Sequence, residues 1–177
     1  DDRTIVVEGS KRTYIVHACL GNRVNEGIAL ALLEYIRRNI GVSAVFRVDA
    51  YRILIHSEVE LFQEDFKRFF SLNPNEIKNL LMSAIERSML YRWRLLHVAR
   101  RFGVIGREVK LKALDLLCRS LKETVVHEEA LREVLTKDIE LSRMILLFNA
   151  IRKGRIRVLF TKSDPEKGIC SPLASFI

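Results

Sequence analysis

At Gly21-Asn22 the apolar residues of this chain change their spacing, and the change dictates a strand leading straight into a helix. Arg12 to Leu20 is a β-type run, whereas from Arg23 to Ile40 the apolar positions recur as Val24, Ile28, Leu32, Tyr35 and Ile36, with Leu30 and Leu33 widening the face. Gly41 follows as a helix-terminating C′ glycine. Upstream, Thr4 to Val7 is a second short β-type run, and Gly9-Ser10-Lys11 supplies the turn of a hairpin. Ser43 to Ile55 alternates again and contains a second hairpin turning near Asp49-Ala50-Tyr51.

Beyond Ser57 the pattern is mainly helical. Val59 to Phe70 is one amphipathic helix, ended by Asn73-Pro74-Asn75, where Pro74 suits the start of the next. The spacing predicts a single helix from Glu76 to Phe102, with Ile77, Leu81, Ala84, Ser88, Leu95, Ala99 and Phe102 as its core stripe. Helices over Lys110–Leu121, Glu128–Leu135 and Ile139–Ile151 follow. Lys153-Gly154 breaks the last, and Arg155 to Thr161 returns as a strand. The expected fold is α+β, a small antiparallel sheet with a long central helix and shorter helices. Residues 1–57 form the hairpin–helix–hairpin part, 58–153 the helical part and 154–177 the returning strand and tail. No repeat or low-complexity linker divides the chain.

Hydrophobic residues make up 49% and charged residues 29% of the 177, ordinary for one globular domain with a core. The longest apolar runs, such as Ile28 to Leu33, are about a third of a membrane span, so no membrane partner is expected. Three scattered cysteines, Cys19, Cys118 and Cys170, argue for a reducing, cytoplasmic setting rather than a disulfide framework. A zinc site from His17, Cys19, Cys118 and Cys170, with His17 and Cys19 on one strand face, lacks any paired CxxC-type spacing; small buried hydrophobes is the ordinary role. The start at Asp-Asp-Arg and the apolar finish Leu173-Ala-Ser-Phe-Ile177 look like cuts in a longer protein, the tail packing on something.

The net charge of +8 is concentrated. Between Glu86 and Lys112, eight basic residues face two acidic ones, and six basic residues near the end face Asp164 and Glu166. Two basic patches of this kind suit a polyanion, though a solvated surface has the same composition. Within the first patch, Leu90 to Gly103 interleaves Arg92, Arg94, Arg100 and Arg101 with Tyr91 and the only tryptophan, Trp93. Arginine among aromatics suits a partner that is both anionic and flat, as a nucleic-acid strand is.

On one continuous helix, Arg87, Arg94 and Arg101 lie within about 40° of one another and roughly 10 Å apart, spaced to meet successive phosphates. The bland reading is an arginine stripe paired with acidic neighbours. Trp93 falls about 160° from the core stripe, beside His97 and Arg100; it either packs on another part of the protein, the more ordinary outcome, or offers a stacking platform. Arg92 sits at the edge of the apolar face, so it pairs with a buried carboxylate or the helix breaks before it. At the other helix start, Asn22 or Asn25 is the expected cap, and Arg23 is a cation where the helix dipole disfavours one. That tension suggests a phosphate or an acidic group, an intramolecular salt bridge being the plainer solution. Arg23, Arg87, Tyr91, Trp93, Arg94 and Arg101 are therefore the candidate nucleic-acid contacts. GxxxxGKS/T, HExxH, GxSxG and GxGxxG patterns are all missing from the sequence, and no catalytic constellation or metal site suggests itself.

Several stretches, in order, resemble one family. Val16-His-Ala-Cys-Leu-Gly-Asn-Arg-Val-Asn25, a long helix, and Phe46-Arg-Val-Asp-Ala-Tyr-Arg-Ile-Leu-Ile55 are similar to the DEAD/H-associated accessory region of the large helicase-related (Lhr) proteins of superfamily two. Gly21, Arg23, Val24 and Asn25 keep the family's "hSPFGxRVN" pattern, while Ala18-Cys19-Leu20 replaces its Ser-Pro-Phe. Tyr91 to Arg101 looks like its "F+xRFRxxAxR" helix, and Ser171-Pro-Leu-Ala174 its "SPFA" segment. The resemblance implies a fragment without ATPase activity or cofactor of its own. It would belong to an ATP- and Mg-dependent helicase translocating 3′ to 5′ on DNA, including RNA–DNA hybrids, and would brace the motor and winged-helix domains of the same chain while gripping single-stranded DNA. No single contact residue carries over from the family; the arginine-rich helix is read from this sequence. The alternative is a scaffolding domain whose arginines pair with carboxylates.

Overall fold

A computed structural model describes residues 3–106 and 114–163. Residues 110–113 of an expected helix, Cys170 and the Ser171-Pro-Leu-Ala174 segment lie outside the described residues. The architecture is α+β: one five-stranded, mostly antiparallel sheet and seven α-helices among the described residues.

β1 (Thr4–Ser10) and β2 (Thr13–His17) form the first hairpin. Its turn lies at Lys11-Arg12, later than expected, with Lys11 at φ 56°. Gly9 is a strand residue paired with Tyr14; a Cβ there would stand 2.3 Å from the Thr13 carbonyl, so the glycine serves close backbone approach. β3 (Ala44–Val48) and β4 (Arg52–Ser57) form the second hairpin around the expected turn, where Asp49 Oδ1 accepts the Tyr51 and Arg52 N–H groups at 2.7 and 2.8 Å. β5 (Arg157–Thr161) returns parallel to β1, giving the order β3-β4-β2-β1-β5.

α1 (Asn22–Asn39) packs against β3 and β4. Its start differs from expectation: Gly21, at φ 86°, precedes the helix, and neither Asn22 nor Asn25 caps it. Asn25 is instead buried, its amide donating to the Asp49 carbonyl at 2.8 Å and tying α1 to the β3–β4 turn. α2 (Gln63–Ser71) begins four residues later than its apolar pattern, because Leu61 is buried in a loop whose N–H bonds the Tyr14 hydroxyl.

α3 spans Pro74–Arg87 behind a full capping box, Asn73 Oδ1 accepting the Asn75 and Glu76 amides and Glu76 returning a bond to the Asn73 amide. The predicted single helix to Phe102 is broken. Ser88, in extended conformation, ends α3 through its N–H to the Ile85 carbonyl and begins α4 (Met89–Arg101) by accepting the Tyr91 N–H on Oγ. Ile77, Leu81, Ala84, Leu95 and Ala99 are buried as expected, but Phe102 lies past the end of α4 and is 51% exposed.

α5 (Leu114–Ser120), α6 (Val125–Glu133) and a π-helical turn at Val134–Asp138 follow, then α7 (Leu141–Arg152). α7 closes on α1 where Gly27 leaves room for Ile139 and Met144, and it brings Phe148 against Phe69 and Phe70 at ring separations of 5.5 and 6.0 Å.

Candidate nucleic-acid interface

The break at Ser88 takes Arg87 off the helix that carries Arg94 and Arg101, so the three arginines do not form one flank. Each meets carboxylates. Arg87 Nη1 lies 3.3 and 3.4 Å from the oxygens of Glu34, a buried residue of α1 that also accepts from Arg37, Arg38 and Ser83. The Arg37 hydrogen bonds, assisted by those of Arg38 and Ser83 against the cost of burial, hold the Glu34 carboxyl at about 2.

Arg94 makes a two-pronged bond to Asp138, Nε to Oδ2 at 2.7 Å and Nη2 to Oδ1 at 2.6 Å, with Glu133 3.7 Å from Nη1. Arg101 Nη2 donates to Glu133 Oε1 at 2.5 Å, and Lys137 reaches the same oxygen at 3.0 Å. Lys137 and Arg101 together lower the Glu133 pKa. Arg92 pairs with Asp115 at 3.0 Å; of the two expected solutions the helix break before it occurs, whereas its carboxylate partner is exposed rather than buried.

Tyr91, a candidate stacking ring, is only 2% exposed and belongs to the core. Its hydroxyl is hydrogen-bonded to His127 Nδ1 at 2.5 Å, and burial, with Cys118 and Glu86 nearby, raises its pKa. Burial in the core is at odds with Tyr91 as a nucleic-acid contact. Trp93 goes the other way. The more ordinary expectation was packing, yet it is 50% exposed, its ring facing that of His97 at 6.3 Å and 27°. The reason is angular: Tyr91, Leu95 and Ala99 take α4 into the core, and Trp93 lies on the far side of the helix. Trp93 and His97, four residues apart, make one exposed stripe that ends beside Arg101, and Met89 is exposed one turn before it.

Arg23 is exposed, and its Nη2 donates to the carbonyls of Thr136 and Ile139 at 2.5 and 3.4 Å. The cation at the start of α1 is thus satisfied by the negative end of the π-turn rather than by an anion or a salt bridge. The residues that sequence reasoning missed are the acceptors, Glu34, Glu133 and Asp138; the available signal was Glu34 lying between Leu33 and Tyr35 on the apolar side of α1. β2 ends at His17, so Cys19 shares no strand face with it; His17 bonds the buried Glu8 at 2.5 Å and Cys19 is exposed. Among the described residues no three His, Cys, Asp or Glu side chains are grouped to hold a metal, and no helix is long and apolar enough to cross a membrane.

With this geometry in place, comparison with known proteins is decisive about kinship. A family model described as DEAD/H associated matches residues 1–174. The chain belongs to the DEAD/H associated family. Its curated relatives include the ATP-dependent helicase Lhr-Core of Methanocaldococcus jannaschii, 27% identical over 90% of this chain and 21% of that protein. Lhr-Core of Sulfolobus acidocaldarius is 23% identical over 89% of the chain and 20% of that protein. This DEAD/H associated chain therefore spans about a fifth of the length of the relatives it matches. Its fold is shared with Mycobacterium smegmatis helicase Lhr, solved bound to ssDNA and AMP-PNP, at a TM-score of 0.74 and 21% identity, covering 93% of this chain and 23% of that one.

Proposed function

We propose that this chain is an accessory domain of an ATP-dependent Lhr-type helicase and that the exposed stripe of α4 contributes to contact with single-stranded nucleic acid. Trp93 is the stacking platform, with Arg101, half-exposed although bonded to Glu133, supplying positive charge beside it. The observation that carries this reading is the half-exposed Trp93 on an arginine-bearing helix of a DEAD/H associated chain. Arg23, Arg87 and Arg94 act chiefly inside the fold, on carbonyls and carboxylates. ATP and Mg belong to the motor of the parent chain, which with its winged helix is the covalent partner; single-stranded DNA or an RNA–DNA hybrid is the ligand class.

A second reading, a brace without nucleic-acid contact, is favoured by the engagement of Arg87, Arg94 and Arg101 with carboxylates. Titration of a labelled single-stranded oligonucleotide, followed by anisotropy and by the fluorescence of the sole tryptophan, separates the two. Salt-sensitive binding that quenches Trp93 and is lost in Trp93→Ala is the expected result. Binding indifferent to Trp93→Ala and Arg101→Ala, or none at low salt, would leave the brace.

A further inference from the structure

A groove of about 450 Å³ runs along α1 between β3 and the α3–α4 break, its lip at Met89 one helical turn before Trp93. α1 lines it with Glu26, Leu30, Leu33 and Arg37, one helical face, and Val42, Phe46 and Leu90 complete the apolar wall. Its two ends are opposite in charge. At one, Arg37 and Arg87 share the single carboxylate of Glu34 with Arg38, leaving an excess of positive charge at the rim. At the other stands Glu26, half-buried, with no hydrogen bond or ion pair among the described residues. Burial, with Asp138 nearby, raises the Glu26 carboxyl above its ordinary value. Met89, exposed at the lip, adds an adaptable apolar side chain.

We infer that this groove docks a segment of the parent helicase outside these residues, with aliphatic side chains at its centre, a Lys or Arg that pairs with Glu26, and an Asp or Glu that meets Arg37 and Arg87. The inference rests on the reading of the chain as one part of an Lhr-type helicase, about four-fifths of whose relatives' length lies beyond the matched region. Glu26 and Arg37 are eleven positions apart on α1, about 16 Å along its axis. The docked segment therefore spans about eleven residues as a helix or five as a strand. The mixed charge is what selects this occupant: a nucleic-acid backbone would be repelled at Glu26, and a purely apolar surface would leave that carboxylate buried and unpaired.

The test uses the full-length protein with a photo-crosslinking amino acid at Met89, and at exposed Leu146 of α7 as a control, followed by mass spectrometry of the crosslinked peptides. The expected result is a crosslink from position 89 to one segment of the same chain carrying both charge signs. Its yield should fall roughly tenfold in Glu26→Arg and in Leu33→Asp, and recover when the segment's cation is exchanged for an acid in the Glu26→Arg background. Thermal unfolding of each variant separates loss of docking from loss of fold. Crosslinks to a second copy, to bound oligonucleotide, or to nothing overturn the proposal. The loss of single-stranded DNA binding on Trp93→Ala, measured in the same variant backgrounds, reports independently on the nucleic-acid reading and should be unchanged.

Discussion

The sheet with α1 and the layer made by α4, α6 and the π-turn are held by different forces. In the first, Val16, Ile28, Ile53 and Ile55 are fully buried, and Phe69, Phe70 and Phe148 close the far side. In the second, α4 also packs through Leu95, Val98 and Ala99, but its flanks are set by ions: Arg92 on Asp115, Arg94 on Asp138, Arg101 on Glu133. Apolar burial is strong and indifferent to direction, so it decides that layers meet. A two-pronged guanidinium–carboxylate bond is weaker but directional, so it pins the flanks of α4 once Tyr91, Leu95 and Ala99 have turned Trp93 outward.

Four experiments sharpen this contrast, from the largest effect to the smallest. Phe148→Ala should cost roughly 3–5 kcal/mol through lost burial and a cavity, lowering the whole urea transition. Glu34→Gln should cost on the order of 2 kcal/mol by weakening charge-assisted bonds from three arginines. Because the folded Glu34 pKa is depressed to about 2, its contribution is complete above the ordinary carboxylate pKa of about 4.3 and is lost as pH falls through about 2. Urea midpoints of the two proteins should therefore converge as pH drops from 5 to 2, and parallel curves would remove Glu34 from its role. Arg94→Ala should cost about 1 kcal/mol, less in high salt, and speed amide exchange in α4 while leaving β2 and β4 protected. Trp93→Ala should change stability by no more than about 0.5 kcal/mol yet weaken oligonucleotide binding by about 1–3 kcal/mol. A large stability loss at Trp93 would mean that it is a packing residue after all.

The two regions also differed in how legible they were. Both hairpins, α1 with Gly41 after it, and the Asn73-Pro74 start of α3 were read from local spacing and turn chemistry, with boundaries shifted by a few residues. Ser88 was present as an N-cap signal before Met89, but Leu81, Ala84, Leu95 and Ala99 kept helical register across it and hid the break. The heptad spacing of Arg87, Arg94 and Arg101 then lost its geometric meaning. A helical wheel puts Trp93 on the face away from the core but does not show whether a neighbour covers it, so its exposure is set by the tertiary structure.

By itself the sequence determined the order of strands and helices, the Asn73-Pro74 start of α3, the turn at Asp49 and the motifs that mark the DEAD/H associated family, because these depend on residues a few positions apart. Only the tertiary structure decided which arginines are engaged and which ring faces outward. Arg87 finds Glu34 across 53 positions, Arg94 finds Asp138 across 44, and Arg101 finds Glu133 across 32. A charge's sign is written in its own residue, but its partner is chosen by packing, and no local pattern carries that choice.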